Sequence, residues 1–303
     1  MLADGAKREH HDDALPHFIV TGFGPFRGVA NNPTTTIVEE LPSFLISEEA
    51  RRSVGLRSCT PKELASNVTT HIFETSAEDV RRWQDDWFDR LSQEVERIHP
   101  PKTSTCAGNN GGNETGAGTD AAATLCGNRR NVVLIHLGVH YKAECFHLES
   151  SAYNEASFRV PDERGFRPRD ECVLSTDGGC AARRGEKLST TLMVPPLVKG
   201  MVSRGHPSKL SGDPGRFFVC NYTYCYSLDK CRRFNATAPT NKTDRPTLYS
   251  IFVHVPLFQI SGKEEQLKFV VGLMDEISMQ LGGELGRSMM LGCFPTILHC
   301  HSI

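Results

Sequence analysis

A cysteine and a histidine in two separate apolar segments could together perform nucleophilic catalysis. Cys220 ends the run Phe-Phe-Val-Cys and precedes a segment that we expect to be helical. The backbone dipole at a helix N-terminus favours the reactive thiolate form of a cysteine. His254 lies in the apolar segment Ser250–Val255, where a strand-end imidazole could reach a neighbouring strand end and take the proton of a thiol. Taken alone, the two residues are better explained as structural: Cys220 as a small buried apolar residue and His254 as a hydrogen-bonded histidine of the core.

The segments that must position these residues alternate between strands and helices. Short continuous apolar runs are typical of strands buried on both faces of a parallel sheet, and they occur at His17–Thr21, Val132–Val139, Phe217–Cys220 and Ser250–Val255. Apolar residues recur every three or four positions in typical amphipathic helices, and this spacing is found over residues 77–98 and 263–281. Two further helices are expected, one opened by Asn32 and Pro33 and one over residues 188–204. This alternation predicts an α/β fold, a three-layer α/β/α sandwich around a mostly parallel sheet.

The polar segments suggest a single domain with insertions. Residues 1–16 are expected to form a flexible tail, and residues 17–303 a single domain. Polar surface insertions are expected near 101–128, 171–187 and 231–246, of which the first is rich in Gly, Asn, Thr and Ala and is too polar to contribute to a core.

Charge and composition exclude several classes of function. The 34 basic and 36 acidic residues give a net charge of -2, so a nucleic acid is not expected as a partner. No apolar stretch approaches the roughly 18 residues of a membrane span, and the N-terminus carries acids and histidines where a signal peptide is apolar, so we expect a cytoplasmic protein without a membrane partner. The 11 cysteines lack both a disulfide framework and metal-ligand spacing, so we expect reduced thiols, no metal and no cofactor.

Four blocks of sequence resemble the pyroglutamyl peptidase I family, the cysteine-dependent pyrrolidone-carboxyl peptidases. They occur in the family's order: VTGFGPF at Val20–Phe26, the block from Leu137 to Asp162, GRFFVCNYTYCYSL at Gly215–Leu228 and FVHVP at Phe252–Pro256. The resemblance implies the same α/β/α sandwich, with the site at the carboxyl ends of the strands. It also implies the catalytic set Glu149, Cys220 and His254, in which Cys220 is the nucleophile, His254 the base and Glu149 the group that orients the histidine.

Further site residues follow from the same resemblance. Phe23 and Phe26 are expected to sandwich a pyroglutamyl ring, and Arg159 to help polarise the attacked carbonyl. Asn32 and Asn154 are expected to support the site.

The function implied is hydrolysis of the bond after an N-terminal pyroglutamyl residue of a peptide, through a thioester. Two alternatives stay open. One is a cysteine amidase acting on another small amide or lactam, and the other is an inactive binding protein on the same fold. The expected partners are peptides with an N-terminal pyroglutamate, and the sequence is compatible with a homo-oligomer.

Overall fold

A six-stranded, mostly parallel sheet organises the chain. The computed structural model describes residues 15–98, 131–174, 183–237 and 245–282. The expected tail falls outside this part except for residues 15 and 16, as does the whole insertion expected near 101–128. The strands are β1 (His17–Phe23), β2 (Val68–Phe73), β3 (Val132–Val139), β4 (Phe146–Glu149), β5 (Ser151–Tyr153), β6 (Lys187–Ser189), β7 (Ser208–Ser211) and β8 (Leu248–Val255). The helices are α1 (Pro33–Ile46), α2 (Glu48–Ser53), α3 (Pro61–Ala65), α4 (Ala77–Ile98), α5 (Val194–Ser203), α6 (Val219–Ala236) and α7 (Lys263–Gly282).

The strand order across the main sheet is β2-β1-β3-β8-β4-β7. All neighbouring strands run parallel except β4 and β8, which are antiparallel. Strands β5 and β6 form a separate antiparallel pair. The mostly parallel sheet with helices confirms the predicted fold class.

Helices cover both faces of the sheet. On one face, the side chains of Phe18, Val133 and Ile251 pack with apolar residues of α1, α5 and α7. On the other face, neighbouring residues such as Ile19 and Leu134 pack against α4 and α6. Successive residues of a strand point to opposite faces, so a continuous apolar run such as Val132–Val139 supplies both cores.

Local sequence explains where the main helices begin. The Asn32 side chain accepts a hydrogen bond from the backbone N–H of Thr34 (3.1 Å), and Pro33 occupies the first helical position of α1. Ser76 accepts one from the N–H of Asp79 (3.2 Å) at the start of α4. The expected helix at 263–281 is also present, with Leu267, Val270, Met274 and Ile277 buried.

The structure corrects two of the expected elements. Phe217–Cys220 is not a strand: Gly215 has a φ of 84°, a turn follows, and α6 begins at Val219. The run was apolar, but Phe217 and Phe218 are about 40% exposed instead of being buried in a sheet. The helix expected over 188–204 begins only at Val194, because residues 187–189 form β6 and the pair Pro195-Pro196 fits only the first turn.

The segments expected to be insertions near 171–187 and 231–246 contain helical and buried residues where the structure describes them. Residues 231–236 are the last turns of α6, in which Cys231 and Phe234 are buried. In the segment near 171–187, Glu171 bridges to Ala156, and Val173 and Leu174 are buried.

Candidate active site

Cys220 lies in the first turn of α6. Phe218 occupies the N-cap position and provides no side-chain hydrogen bond, so the N–H groups of this turn are not capped by it. Asn221 fixes the turn against β5, because its Oδ1 accepts from the N–H of Tyr153 (2.9 Å) and its Nδ2 donates to the carbonyl oxygens of Tyr153 and Glu155 (both 2.8 Å). Cys220 is half-buried. The turn thus presents a thiol beside backbone donors that could stabilise a developing negative charge.

His254 lies near the end of β8, with its ring between a thiol and a carboxylate. Its Nδ1 and Glu149 Oε1 are 2.9 Å apart, and both side chains are almost fully buried. The carboxylate accepts the Nδ1 proton, which leaves Nε2 for Cys220. Burial by itself would lower the pKa of His254, but hydrogen bonding and charge from Cys220 and Glu149 outweigh it and raise the pKa to about 9. At neutral pH the imidazole is therefore held in its protonated form.

Glu149 ends β4 in the core of the protein and is 1% exposed. Its backbone carbonyl accepts a hydrogen bond from the hydroxyl of the fully buried Tyr224 (2.9 Å), which joins β4 to α6. Because β4 runs against β8, Glu149 pairs in register with Phe252 and His147 pairs with His254. The carboxylate thus comes from the one antiparallel neighbour, while the histidine is at the carboxyl end of a parallel strand.

Gly138 makes room for the thiol over the sheet. It pairs with His254 in the register of β3 and β8. A Cβ atom at this position would lie 2.6 Å from the Phe252 ring and 3.3 Å from Cys220 Sγ. Only a residue without a side chain lets the thiol and the aromatic ring approach together.

The two phenylalanines expected at the substrate ring occupy different environments. Phe23 ends β1, is 2% exposed, and packs with Phe73 and Phe252 at ring-centre distances of 5.8 and 6.5 Å. Phe26 is half-buried in the turn that follows, where its backbone bonds to Val29 in both directions. Phe23 is therefore a core residue, and the more accessible ring is that of Phe26.

The other predicted residues flank the site. Arg159 is exposed, its guanidinium lies 4.5 Å from the ring centre of Phe217, and its N–H donates to the Phe217 carbonyl (3.1 Å). It thus supports the turn before α6, and the hydrogen bonds and ring contacts found for it go to that turn and to the loop around Arg167. Asn32 Nδ2 donates to the Gly24 carbonyl (3.0 Å) and holds the turn between Phe23 and Phe26. Asn154, fully buried, accepts from the N–H of Leu174 (2.8 Å) and holds the loop behind β5.

Sequence reasoning missed three residues that shape the site. Gly138, Asn221 and Tyr224 all lie inside the blocks that carried the family resemblance, but their roles depend on contacts with other elements. Asn221 had a local signal, since an amide directly after a helix-start cysteine is suited to bind backbone groups.

Over residues 15–98, 131–174, 183–237 and 245–282, no group of three or more histidine, cysteine or acidic side chains is arranged to hold a metal ion. In the same part of the chain, no helix has the length and apolar character of a membrane span.

Comparisons with known proteins agree with the sequence blocks. A family model described as pyroglutamyl peptidase matches residues 117–266, which include Glu149, Cys220 and His254. The pyrrolidone-carboxylate peptidase of Clavibacter michiganensis is 31% identical over 124 residues, which make up 41% of this chain and 49% of that protein. The enzyme of the same name from Enterococcus faecalis is 26% identical over 238 residues, 78% of this chain and 77% of that protein. The match thus spans about half the length of the first relative and about three quarters of the second.

Solved structures share the fold. Pyroglutamyl peptidase I of Bacillus amyloliquefaciens superposes with a TM-score of 0.53 at 17% identity, over 86% of this chain and 96% of that one. The pyrrolidone carboxyl peptidase of Fervidobacterium islandicum gives a TM-score of 0.54 at 18% identity, over 86% and 97%. The chain is therefore similar in sequence to the pyroglutamyl peptidase family over residues 117–266, and it shares the fold of these solved structures.

Proposed function

We propose that the protein is a cysteine peptidase that hydrolyses the bond after an N-terminal pyroglutamyl residue of peptides. The observation that carries the proposal is the linked set Cys220, His254 and Glu149, with the thiol in the first turn of a helix and the histidine paired to a buried carboxylate. This is the arrangement that a thiol nucleophile requires, namely a base in contact with it and a third group that orients the base.

The reaction follows from the roles of these groups. The Cys220 sulfur, its proton held by His254, attacks the pyroglutamyl carbonyl carbon and forms a tetrahedral oxyanion. Backbone N–H groups of the first turn of α6 stabilise the oxyanion, and one such donor typically contributes about 3 kcal/mol. The C–N bond then breaks, and His254 gives its proton to the leaving amine. Water, deprotonated by His254, hydrolyses the thioester and releases pyroglutamate and the free thiol.

Specificity for the lactam follows from the surroundings of the thiol. Pyroglutamate is neutral, whereas an N-terminal glutamate would bring two charges into a pocket that we place at the half-buried Phe26 ring, near the apolar cluster of Phe23, Phe252 and Cys220. Burial of unpaired charges is strongly unfavourable, so glutamyl amides should not be cleaved. Proline lacks the ring carbonyl, and a site built to hydrogen-bond that group can reject the analogue by about 10⁴-fold. Arg159 is proposed to help polarise the carbonyl by way of the turn that it supports.

A free nucleophilic thiol suits a reducing compartment, and we propose the cytoplasm as the place of action. Cys220 is among the free cysteines of the described residues.

The test is an assay with pyroglutamyl, prolyl and glutamyl fluorogenic amides, before and after alkylation of the protein with iodoacetamide. We expect only the pyroglutamyl amide to be cleaved efficiently, and alkylation to abolish cleavage. Comparable kcat/KM values for the prolyl and pyroglutamyl amides would instead favour an amidase acting on another small amide. Failure to cleave any of the three, with Cys220 shown to be reduced, would favour the inactive binding protein.

A further inference from the structure

One row of side chains crosses the sheet on the face that carries the thiol. Residues paired in register on adjacent strands point to the same face. Gly138 of β3 pairs with His254 of β8, His254 pairs with His147 of β4, and His147 pairs with Lys209 of β7. The row continues on the other side of Gly138 to β1, where Phe23 lies two residues beyond the Thr21–His136 pair.

The row gives the bound substrate a direction. Its aromatic end is at Phe23, which leads into the turn that carries the more accessible Phe26, and there the proposed function places the pyroglutamyl ring. The thiol lies over Gly138, and His254, which must protonate the leaving amine, comes next. The leaving peptide therefore extends from His254 toward β4 and β7, over His147 and Lys209.

Lys209 is the cation at the end of this path. It is exposed on the edge strand β7, and its charge acts on the rings of both His147 and His140, so its ammonium lies on the side of the site. His147 adds no charge of its own, since burial and the neighbouring Lys209 lower its pKa to about 4. Among the described residues, none forms an ion pair with Lys209, so its ammonium is available to a ligand.

The distances fit a carboxylate about two residues beyond the cleaved bond. Adjacent strands are about 4.8 Å apart, so β7 lies about 10 Å from β8. An extended peptide advances about 3.5 Å per residue, so the carboxylate that ends a two-residue leaving peptide is about 7 Å from the leaving nitrogen. The flexible stem of a lysine covers the remaining distance.

We infer that Lys209 is a specificity-determining residue that binds a carboxylate of the leaving peptide, so that the enzyme prefers short pyroglutamyl peptides with an acidic end. This inference rests on the proposed function for its substrate. It concerns only the leaving side of the site, for which no substrate-binding residue was predicted.

The test compares pyroglutamyl-alanyl-alanine with its C-terminal amide in the wild-type protein and in two variants. Lys209→Gln removes the cation, and Lys199→Gln makes the same change on the exposed surface of α5, on the opposite side of the sheet. The readout is the ratio of kcat/KM for the acid to that for the amide. An exposed ion pair is weak, so we expect the ratio to fall about threefold to fivefold in Lys209→Gln. The ratio should stay at its wild-type value in Lys199→Gln, and the wild-type preference should shrink when salt is raised from 50 to 500 mM.

A second substrate pair separates the two sources of a carboxylate. Pyroglutamyl-alanyl-glutamate amide and pyroglutamyl-alanyl-glutamine amide differ only in a side-chain charge. If Lys209→Gln alters this pair and not the first, the ligand is an acidic side chain; if it alters only the first, the ligand is the C-terminus. Equal ratios in Lys209→Gln and Lys199→Gln for both pairs would overturn the inference.

Binding to an inactive protein keeps the inference testable if turnover fails. In the Cys220→Ala background, calorimetry gives the Kd of each peptide with and without Lys209→Gln. Absence of turnover in the wild-type protein would refute the proposed function. A Kd ratio that does not respond to Lys209→Gln would refute the role of the lysine.

Discussion

Replacement of Glu149 by glutamine tests how the carboxylate stabilises the protonated form of His254. Glutamine keeps an oxygen that can accept the Nδ1 proton of His254, at present 2.9 Å from the carboxylate, and removes only the charge. The substitution therefore separates orientation of the ring from stabilisation of its protonated form. Glu149 acts through His254, so we expect its replacement to lower kcat less than replacement of the histidine does.

The magnitude follows from the pKa of His254. Burial disfavours the protonated form of His254, yet Cys220 and Glu149 together raise the pKa of this histidine from 6.5 to about 9. The protonated form is thus stabilised by a net amount of about 3 kcal/mol. A single opposite charge in contact typically accounts for about 1–3 pH units. In Glu149→Gln the pKa of His254 should thus fall by about 1–2 units. One pKa unit corresponds to a factor of ten, so we expect kcat at pH 7 to fall by about 10- to 100-fold, against about 10⁴-fold in His254→Ala.

The assay is the pH profile of kcat between pH 5.5 and 10 with a pyroglutamyl fluorogenic amide. In the wild-type protein, activity should decline as pH rises through about 9, when His254 loses the proton meant for the leaving amine. In Glu149→Gln this decline should begin about 1–2 pH units lower. Glu144→Gln is the matched control, because it removes a carboxylate from the exposed loop after β3.

The free energy of unfolding provides an independent test of the Glu149–His254 pair. A pKa raised in the folded state stabilises the fold fully below pH 6.5, and this contribution is lost as pH rises through about 9. The deficit in free energy of unfolding of Glu149→Gln should therefore be larger at pH 6 than at pH 10. An unchanged alkaline decline in Glu149→Gln, or a greater loss of kcat than in His254→Ala, would refute the assigned roles.

Three further predictions address the nucleophile, the pocket and the acid limit. Cys220→Ser should abolish turnover, and mass spectrometry after iodoacetamide should find Cys220 labelled before the exposed Cys172; faster labelling of Cys172 accompanied by loss of activity would contradict the assignment. Phe26→Ala should lower kcat/KM for the pyroglutamyl amide at least tenfold, while the rate at which iodoacetamide alkylates the nucleophile stays the same, and parallel loss of both rates would show a structural role instead. Burial lowers the pKa of His136 to about 3. Its contribution to stability is therefore present above pH 6.5 and lost as pH falls toward 3. Urea unfolding at pH 7 and pH 4.5 should show a smaller loss of unfolding free energy at the lower pH in His136→Gln than in the wild-type protein. An equal loss in the two proteins would contradict this.

Elements with strong apolar patterns were predictable from the sequence. Strands β1, β3 and β8 are continuous apolar runs buried on both faces, and α4 and α7 carry an apolar stripe at helical spacing. These patterns report burial directly, which is why they identify the centre of the sheet and the layers on it. The short strands gave no such signal, since β7, with the sequence Ser-Lys-Leu-Ser, is an exposed edge.

The family blocks predicted the members of the candidate site but not its geometry. The family blocks pointed to Glu149, Cys220 and His254, and the structure brings Glu149 and Cys220 to the two sides of one imidazole. Nothing in the sequence indicated that Glu149 comes from an antiparallel strand, because the direction of β4 depends on the long connections around it. The prediction of a strand in the apolar run before Cys220 was wrong for a related reason. Phe217 and Phe218 are exposed on a turn, and this exposure depends on how the elements pack together, which the run itself does not indicate.

The narrow space above Gly138 has a consequence for how such a protein could lose its activity. A single methyl group there would meet the Phe252 ring at 2.6 Å and the thiol at 3.3 Å, so either the ring or α6 would have to move. A single substitution at Gly138 would thus be enough to abolish activity while Glu149, Cys220 and His254 stayed unchanged. Inheritance of the three reactive side chains is therefore an incomplete criterion of activity among relatives. The residue that occupies this glycine's place should be inspected before a chain with the full set is counted as a working peptidase.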